Sequence, residues 1–206
     1  MTFDNCPTPH PDVTPHHEAF GSTVLYHQRG NVAWVTLNRR DALNAINTAT
    51  AEQLSKLWAH VSAEPHVHTV VLTGAGPEAF SIGFGRSTVP HSISPKQCGL
   101  DKRLIVAVNG IACREAFHLL QDADLVIAAE RAVFFEARWA SPTVPDDYGP
   151  GARLARWRLT HAVRRAPVTA AEAYRLGVIQ ETVPLSHLRS ATEHLAGRLP
   201  SRHALW

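Results

Sequence analysis

The residues of this chain that could do chemistry fall into a few groups. Glu115, His118 and Asp122 sit at i, i+3 and i+7, which places them on one face of a helix. A histidine there, with an ordinary pKa of about 6.5, can exchange a proton near neutral pH, although the same spacing also describes a plain polar stripe. Val144-Pro145-Asp146-Asp147-Tyr148-Gly149 sets two carboxylates beside a phenol, in a composition that also reads as a turn because Asp and Gly favour turns. Gly74-Ala75-Gly76-Pro77-Glu78-Ala79 fits the G-x-G-x-x-A dinucleotide pattern. That fingerprint needs a helix to open next, and Phe80-Ser81-Ile82-Gly83-Phe84-Gly85 has no helical period. Cys6 with His10, His16 and His17 has metal-ligand chemistry but no spacing that fixes a coordination geometry, so no metal is expected.

These residues need elements to position them. Val24-Leu25-Tyr26 and Val32-Ala33-Trp34-Val35-Thr36-Leu37 read as two strands of a hairpin turning at Arg29-Gly30-Asn31. Leu54, Leu57, Trp58 and Val61 recur at helical spacing, with Asn47 or Thr48 as N-cap and Pro65 beyond the end. Thr69-Val70-Val71-Leu72-Thr73 and Leu104-Ile105-Val106-Ala107-Val108 read as buried strands. A turn at Asn109-Gly110 leads to a helix expected over residues 114–123, then strands at Leu125-Val126-Ile127-Ala128 and Val133-Phe134-Phe135. From 151 to 198 helical segments alternate with one extended run at 178–183. Gly177 reads as a helix-ending glycine, and Leu188, Leu195 and Leu199 as the apolar side of a last helix. No internal repeat is visible.

Composition bounds the answer. A chain of 206 residues with 45% hydrophobic and 18% charged residues can bury one ordinary domain. Residues 1–20, rich in Pro and His, read as a flexible arm ahead of a single domain over 21–206. A net charge of +2 argues against nucleic acid as a partner. Three cysteines without zinc or Cys-x-x-Cys spacing exclude a disulfide scaffold and point to a reducing compartment. With no run long enough for a membrane span and no signal-peptide pattern, the expectation is a cytoplasmic protein that does not engage a membrane.

Several segments, in order, resemble the crotonase (enoyl-CoA hydratase/isomerase) superfamily over residues 24–199. They are Val35-Thr36-Leu37-Asn38-Arg39 with Ala42-Leu43-Asn44-Ala45, Val70-Val71-Leu72-Thr73-Gly74 with Ala79-Phe80-Ser81-Ile82-Gly83, Ile105-Val106-Ala107-Val108-Asn109-Gly110, and Asp124-Leu125-Val126-Ile127-Ala128-Ala129. Thr169-Ala170-Ala171-Glu172-Ala173 and Leu176-Gly177-Val178-Ile179 with Val183-Pro184-Leu185 look like that family's late helix-strand signature. The resemblance implies an α/β fold, a crotonase-like spiral of ββα units, here with a shortened C-terminal helical region.

It also implies an acyl-thioester site in which two backbone N–H groups hold the thioester oxygen as it becomes an enolate. By alignment these belong to Phe84, where the family commonly has Gly-Ala-Asp over residues 83–85, and to Glu115, where it has a glycine run. Both positions keep an N–H, and neither keeps the small residue that lets substrate approach the backbone. A Glu115 carboxylate about 4 Å from an enolate would cost on the order of 1 kcal/mol in water and about 4 at an effective dielectric near 20. Facing away, it would merely sit favourably at a helix N-terminus. Arg114 is left to shape the pocket or a surface. The paired glutamates of the hydratases are replaced by His118 and Arg138. His118 can still act as a base, whereas Arg138 cannot release its proton but can bind a carboxylate or an enolate. Asp146 falls where dienoyl-CoA isomerases carry a catalytic aspartate, with Asp147 and Tyr148 as further substrate contacts.

Nothing tightly bound is expected as a cofactor; coenzyme A or phosphopantetheine is the implied substrate carrier, and acyl-CoA or an acyl-carrier protein the partner. The resemblance implies a homo-oligomer. The chain stops at His203-Ala204-Leu205-Trp206, short of the helices that build the family's trimer, which sets that trimer in doubt. Two functions are implied. One is a lyase or isomerase using enolate chemistry (isomerisation, hydration or dehydration, decarboxylation or cyclisation) without the two-glutamate pair. The other is a catalytically degenerate relative that binds or stimulates another acyl-processing enzyme.

Overall fold

The computed structural model of the chain describes residues 21–84, 93–113, 116–136 and 154–199. Strands β1 (Val24–Arg29) and β2 (Val32–Leu37) form the expected antiparallel hairpin, and α1 (Thr48–Ala63) comes after them. Asn47 caps α1 by accepting the Thr50 N–H at 2.9 Å. Next come β3 (Thr69–Gly74), β4 (Ala79–Ser81), β5 (Arg103–Val108), β6 (Ile111–Cys113), α2 (Phe117–Gln121), β7 (Leu125–Ala129) and β8 (Val133–Phe135). The remainder holds α3 (Leu154–Val163), β9 (Val168–Thr169), α4 (Ala170–Arg175), β10 (Glu181–Val183) and α5 (Leu188–Arg198).

Strands alternate between two sheets. The larger runs β1-β2-β3-β5-β7-β10 and the smaller β4-β6-β8-β9. Each passage through the spiral thus lays one long strand in the first sheet and one short strand in the second, as β3/β4, β5/β6 and β7/β8. This is an internal repeat that the sequence does not display, because what recurs is a strand pair and its pairing partner rather than a residue pattern.

Apolar residues on both faces of the larger sheet explain the near-continuous hydrophobic strands. Val70, Leu72, Val106 and Val126 face the main core, with Leu54, Leu57, Trp58 and Val61 of α1. Trp34, Val71, Ile105 and Ile127 face outward and are covered by α5 through Leu188, Leu195 and Leu199, the apolar side expected of the last helix.

Two expectations need correction. The helix expected over 114–123 is shorter, since α2 spans Phe117–Gln121 with Asp122 as its C-cap. The strand in the 178–183 run is confined to Glu181–Val183. The Gly177 and Val178 N–H groups bond back to Tyr174 and Ala173, ending α4 in a Schellman turn that buries Val178 and Ile179 in the core. The two-residue β9 has no counterpart among the expected elements. Asp122, the C-cap of α2, accepts from the Ser94 hydroxyl and the Lys96 N–H.

The glycine pattern at 74–79 has a packing cause. A Cβ on Gly74 would lie 2.5 Å from the carbonyl oxygens of Ala79 and Phe80. The next element is the strand β4 rather than a helix N-terminus, so the pyrophosphate seat that the fingerprint requires is not formed there. Among the described residues no helix is long and apolar enough to cross a membrane, and no three His, Cys, Asp or Glu side chains group as metal ligands.

Candidate active site

The site is built where the short strands of the smaller sheet end. β4, β6 and β8 run parallel, with Ser81 opposite Ala112 and Ala112 opposite Phe134. Phe84 lies three positions beyond Ser81, and Glu115 three beyond Ala112. Phe84 thus follows β4 directly, while Glu115 lies outside the described residues.

The turn carrying Phe84 is fastened from several sides. Ser81 Oγ donates to the Asn44 carbonyl at 2.8 Å and accepts the Gly83 N–H at 2.9 Å. The Ile46 N–H donates to the Gly83 carbonyl at 2.8 Å, and the Ile82 N–H to that of Leu43 at 3.2 Å. Gly83 has φ +74°, a left-handed conformation that favours glycine and fixes the direction in which Phe84 leaves β4.

Behind this turn stand two buried asparagines to which sequence reasoning assigned no role. Asn44, itself left-handed at φ +55°, donates through Nδ2 to the carbonyls of Ala75 and Ala79 and accepts the Arg39 N–H. Asn109 donates to Gly76 and Ala79 and accepts the Gly74 N–H. They latch the 74–79 loop ahead of β4. The available signal was asparagine's tolerance of left-handed backbone in a motif with few other polar residues.

α2 presents neighbouring residues to different surroundings. Phe117 is buried in the core, with its ring centroid 6.2 Å from that of Phe134. His118 is half-buried, its ring centroid 6.4 Å from that of Phe84 with planes 36° apart. The structure therefore brings together Phe84 and His118. Arg114 and Glu115 fall between β6 and α2, and Arg138, Asp146, Asp147 and Tyr148 between β8 and α3; all six lie outside the described residues, as does the arm over 1–20.

This arrangement sets the His118 ring beside the Phe84 ring, at the turn that follows β4. A hydrogen-bond donor aimed at developing negative charge is worth roughly 3–4 kcal/mol when removed, and a positioned histidine can move the proton whose loss creates that charge. Elsewhere, a hollow of about 420 Å³ is lined by Asn38, Arg39, Arg40, Asp41 and Ala42.

Over most of its length the chain is similar to known proteins. The sequence profile described as enoyl-CoA hydratase/isomerase matches residues 27–205. The short-chain-enoyl-CoA hydratase of Clostridium acetobutylicum is 28% identical over 199 residues, covering 87% of this chain and 76% of that protein. A carnitinyl-CoA dehydratase of Escherichia coli is 28% identical over 190 residues, covering 84% and 72%. Among solved structures, a carnitinyl-CoA hydratase from Mycobacterium avium superposes with a TM-score of 0.68 at 32% identity, covering 86% of this chain and 75% of that one.

Proposed function

Because the chain belongs to the enoyl-CoA hydratase/isomerase family, with the crotonase-like fold, we propose that it is an enzyme that acts on an acyl thioester by enolate chemistry without the paired glutamates of the hydratases. The observation that carries this reading is the approach of His118 to Phe84, a base beside the turn that offers the first backbone donor.

In this reading the thioester oxygen lies between the N–H groups of Phe84 and Glu115. His118 takes the α-proton, and the electron pair of the broken C–H bond passes into the enolate. Collapse of the enolate returns the proton to another carbon, expels a β-substituent, or forms a C–C bond. Asp146 supplies or receives the second proton, Arg138 orients an anionic group, and Asp147, Tyr148 and Arg114 contact the acyl portion. Coenzyme A or phosphopantetheine carries the acyl group.

Calorimetric titration with coenzyme A, acetyl-CoA and crotonyl-CoA, joined to mass-spectrometric product detection over acyl-CoA and acyl-carrier substrates, tests the proposal. Binding with turnover is expected. A second reading, a non-catalytic partner of another acyl-processing enzyme, draws on the Phe84 ring beside the site. It requires stimulation of that enzyme to survive replacement of His118. Absence of binding at millimolar thioester on either carrier, with such stimulation, would replace the first reading by the second.

A further inference from the structure

We infer that the outer face of the larger sheet carries a second binding site, a hollow beneath α5 that takes a small, flat carboxylate built on a single aromatic ring. The site lies on the sheet face turned away from the main core against which Phe84 packs, and it does not depend on the thioester reading.

The register of the sheet makes the hollow. One outward rung sets Trp34, Val71 and Ile105 side by side across β2, β3 and β5, and these bulky side chains meet α5. Two residues along, the same face carries Thr36, Thr73 and Ala107, each opposite the next. Their smaller side chains leave a hollow of about 220 Å³, walled by Trp34, Leu188 and Arg189. An apolar cavity of about 150 Å³ holds benzene, so there is room here for one ring and a carboxylate. Drug-sized ligands need roughly 300 Å³ or more, which excludes anything much larger.

The rim supplies the charge. Arg189 lies over the Trp34 ring, with its Cζ 5.0 Å from the centroid. Its Nε donates to Glu193 Oε1 at 3.4 Å, and the same carboxylate pairs with Arg29 at 3.7 Å. One carboxylate thus answers two guanidinium groups, and among the described residues the terminal amino groups of Arg189 take no hydrogen-bond partner. That fork fits a carboxylate, and the rim keeps an excess of positive charge to attract one. A neutral ring would leave the guanidinium unused, and a small anion would leave the apolar wall unused. A ring bearing a carboxylate uses both.

The test titrates benzoate, benzamide and acetate by calorimetry into the full chain, Arg189→Gln and Thr36→Leu, with folding checked by circular dichroism. Benzoate is expected to bind saturably in the millimolar range. Benzamide, which lacks the charge, and acetate, which lacks the ring, should each bind at least tenfold more weakly. Arg189→Gln should weaken benzoate at least tenfold, and Thr36→Leu, which fills the floor of the hollow, should do the same. Arg189 is exposed and its ion pair adds little stability, so that variant keeps the test decisive if Thr36→Leu fails to fold. No saturable benzoate binding at tens of millimolar, benzamide binding as tightly as benzoate, or unchanged benzoate affinity in the folded variants would overturn the inference. None of these results bears on the thioester reading, which stands or falls on thioester binding.

Discussion

Asn44 and Asn109, from different turns of the spiral, donate to the same carbonyl oxygen, that of Ala79, at 2.7 and 2.9 Å. Both are buried, with relative exposures of 1% and 4%. A carbonyl has two lone pairs, and here the protein fills both at the entrance to β4. The shared acceptor couples the connection between β2 and α1, the 74–79 loop and the residue that follows β5.

That coupling is measurable. Asn44→Ala and Asn109→Ala should each cost about 1–3 kcal/mol in chemical denaturation, since each leaves buried backbone groups unpaired. The double variant should cost more than the sum, because only then does the Ala79 oxygen lose both donors. Strict additivity would mean the two latches act separately.

The local features of the fold were legible in the sequence because their causes are local. The β1–β2 hairpin arises from a Gly-Asn turn between β-branched runs, and the start of α1 from Asn47. β6 and β9, of three and two residues, are too short to show any period and exist only through pairing with distant strands. The same holds at the site. His118 and Phe84 were reached through resemblance to a family, but their mutual contact and the asparagine latch depend on which strands lie side by side. Asp122 stands four residues after His118 at the end of α2, and its bonds to Ser94 and Lys96 are long-range pairings that helical spacing does not display.

Leu188 tests the outer layer. It is buried against the cluster of Trp34, Val71, Ile105 and Ile127 that α5 covers. Leu188→Ala should cost about 2–5 kcal/mol in denaturant unfolding, from lost burial and the cavity left behind. A cost below about 0.5 kcal/mol would mean that α5 is not a structural cover of this sheet face.

Tyr26 gives the fold an alkaline limit. Its hydroxyl is held above the usual phenol pKa, first by burial and second by the nearby Glu64 carboxylate, both of which oppose the phenolate. The folded state keeps the proton longer than the unfolded chain does. Its contribution is therefore fully present below a pH of about 10 and is lost as pH rises through the higher folded value. Thermal melts of the wild type should fall off faster above that pH than those of Tyr26→Phe. Parallel profiles would remove Tyr26 as the cause.

The proposed mechanism is exposed most directly at His118 and Asp146. If the histidine removes the α-proton, His118→Ala should lower kcat by about 10²–10⁴-fold, the range for loss of a positioned base, with circular dichroism unchanged. Asp146→Asn keeps the shape but cannot transfer a proton, so its kcat should fall comparably if the aspartate handles the second transfer. Arg138→Ala should act differently. A guanidinium that only holds an anionic group contributes to binding in ground and transition states alike, and its removal should raise KM more than it lowers kcat. Full turnover in His118→Ala or Asp146→Asn would remove that residue from the mechanism. Retention in both would assign the proton transfers to other groups and leave Phe84 and Glu115 as a binding site for the thioester oxygen alone.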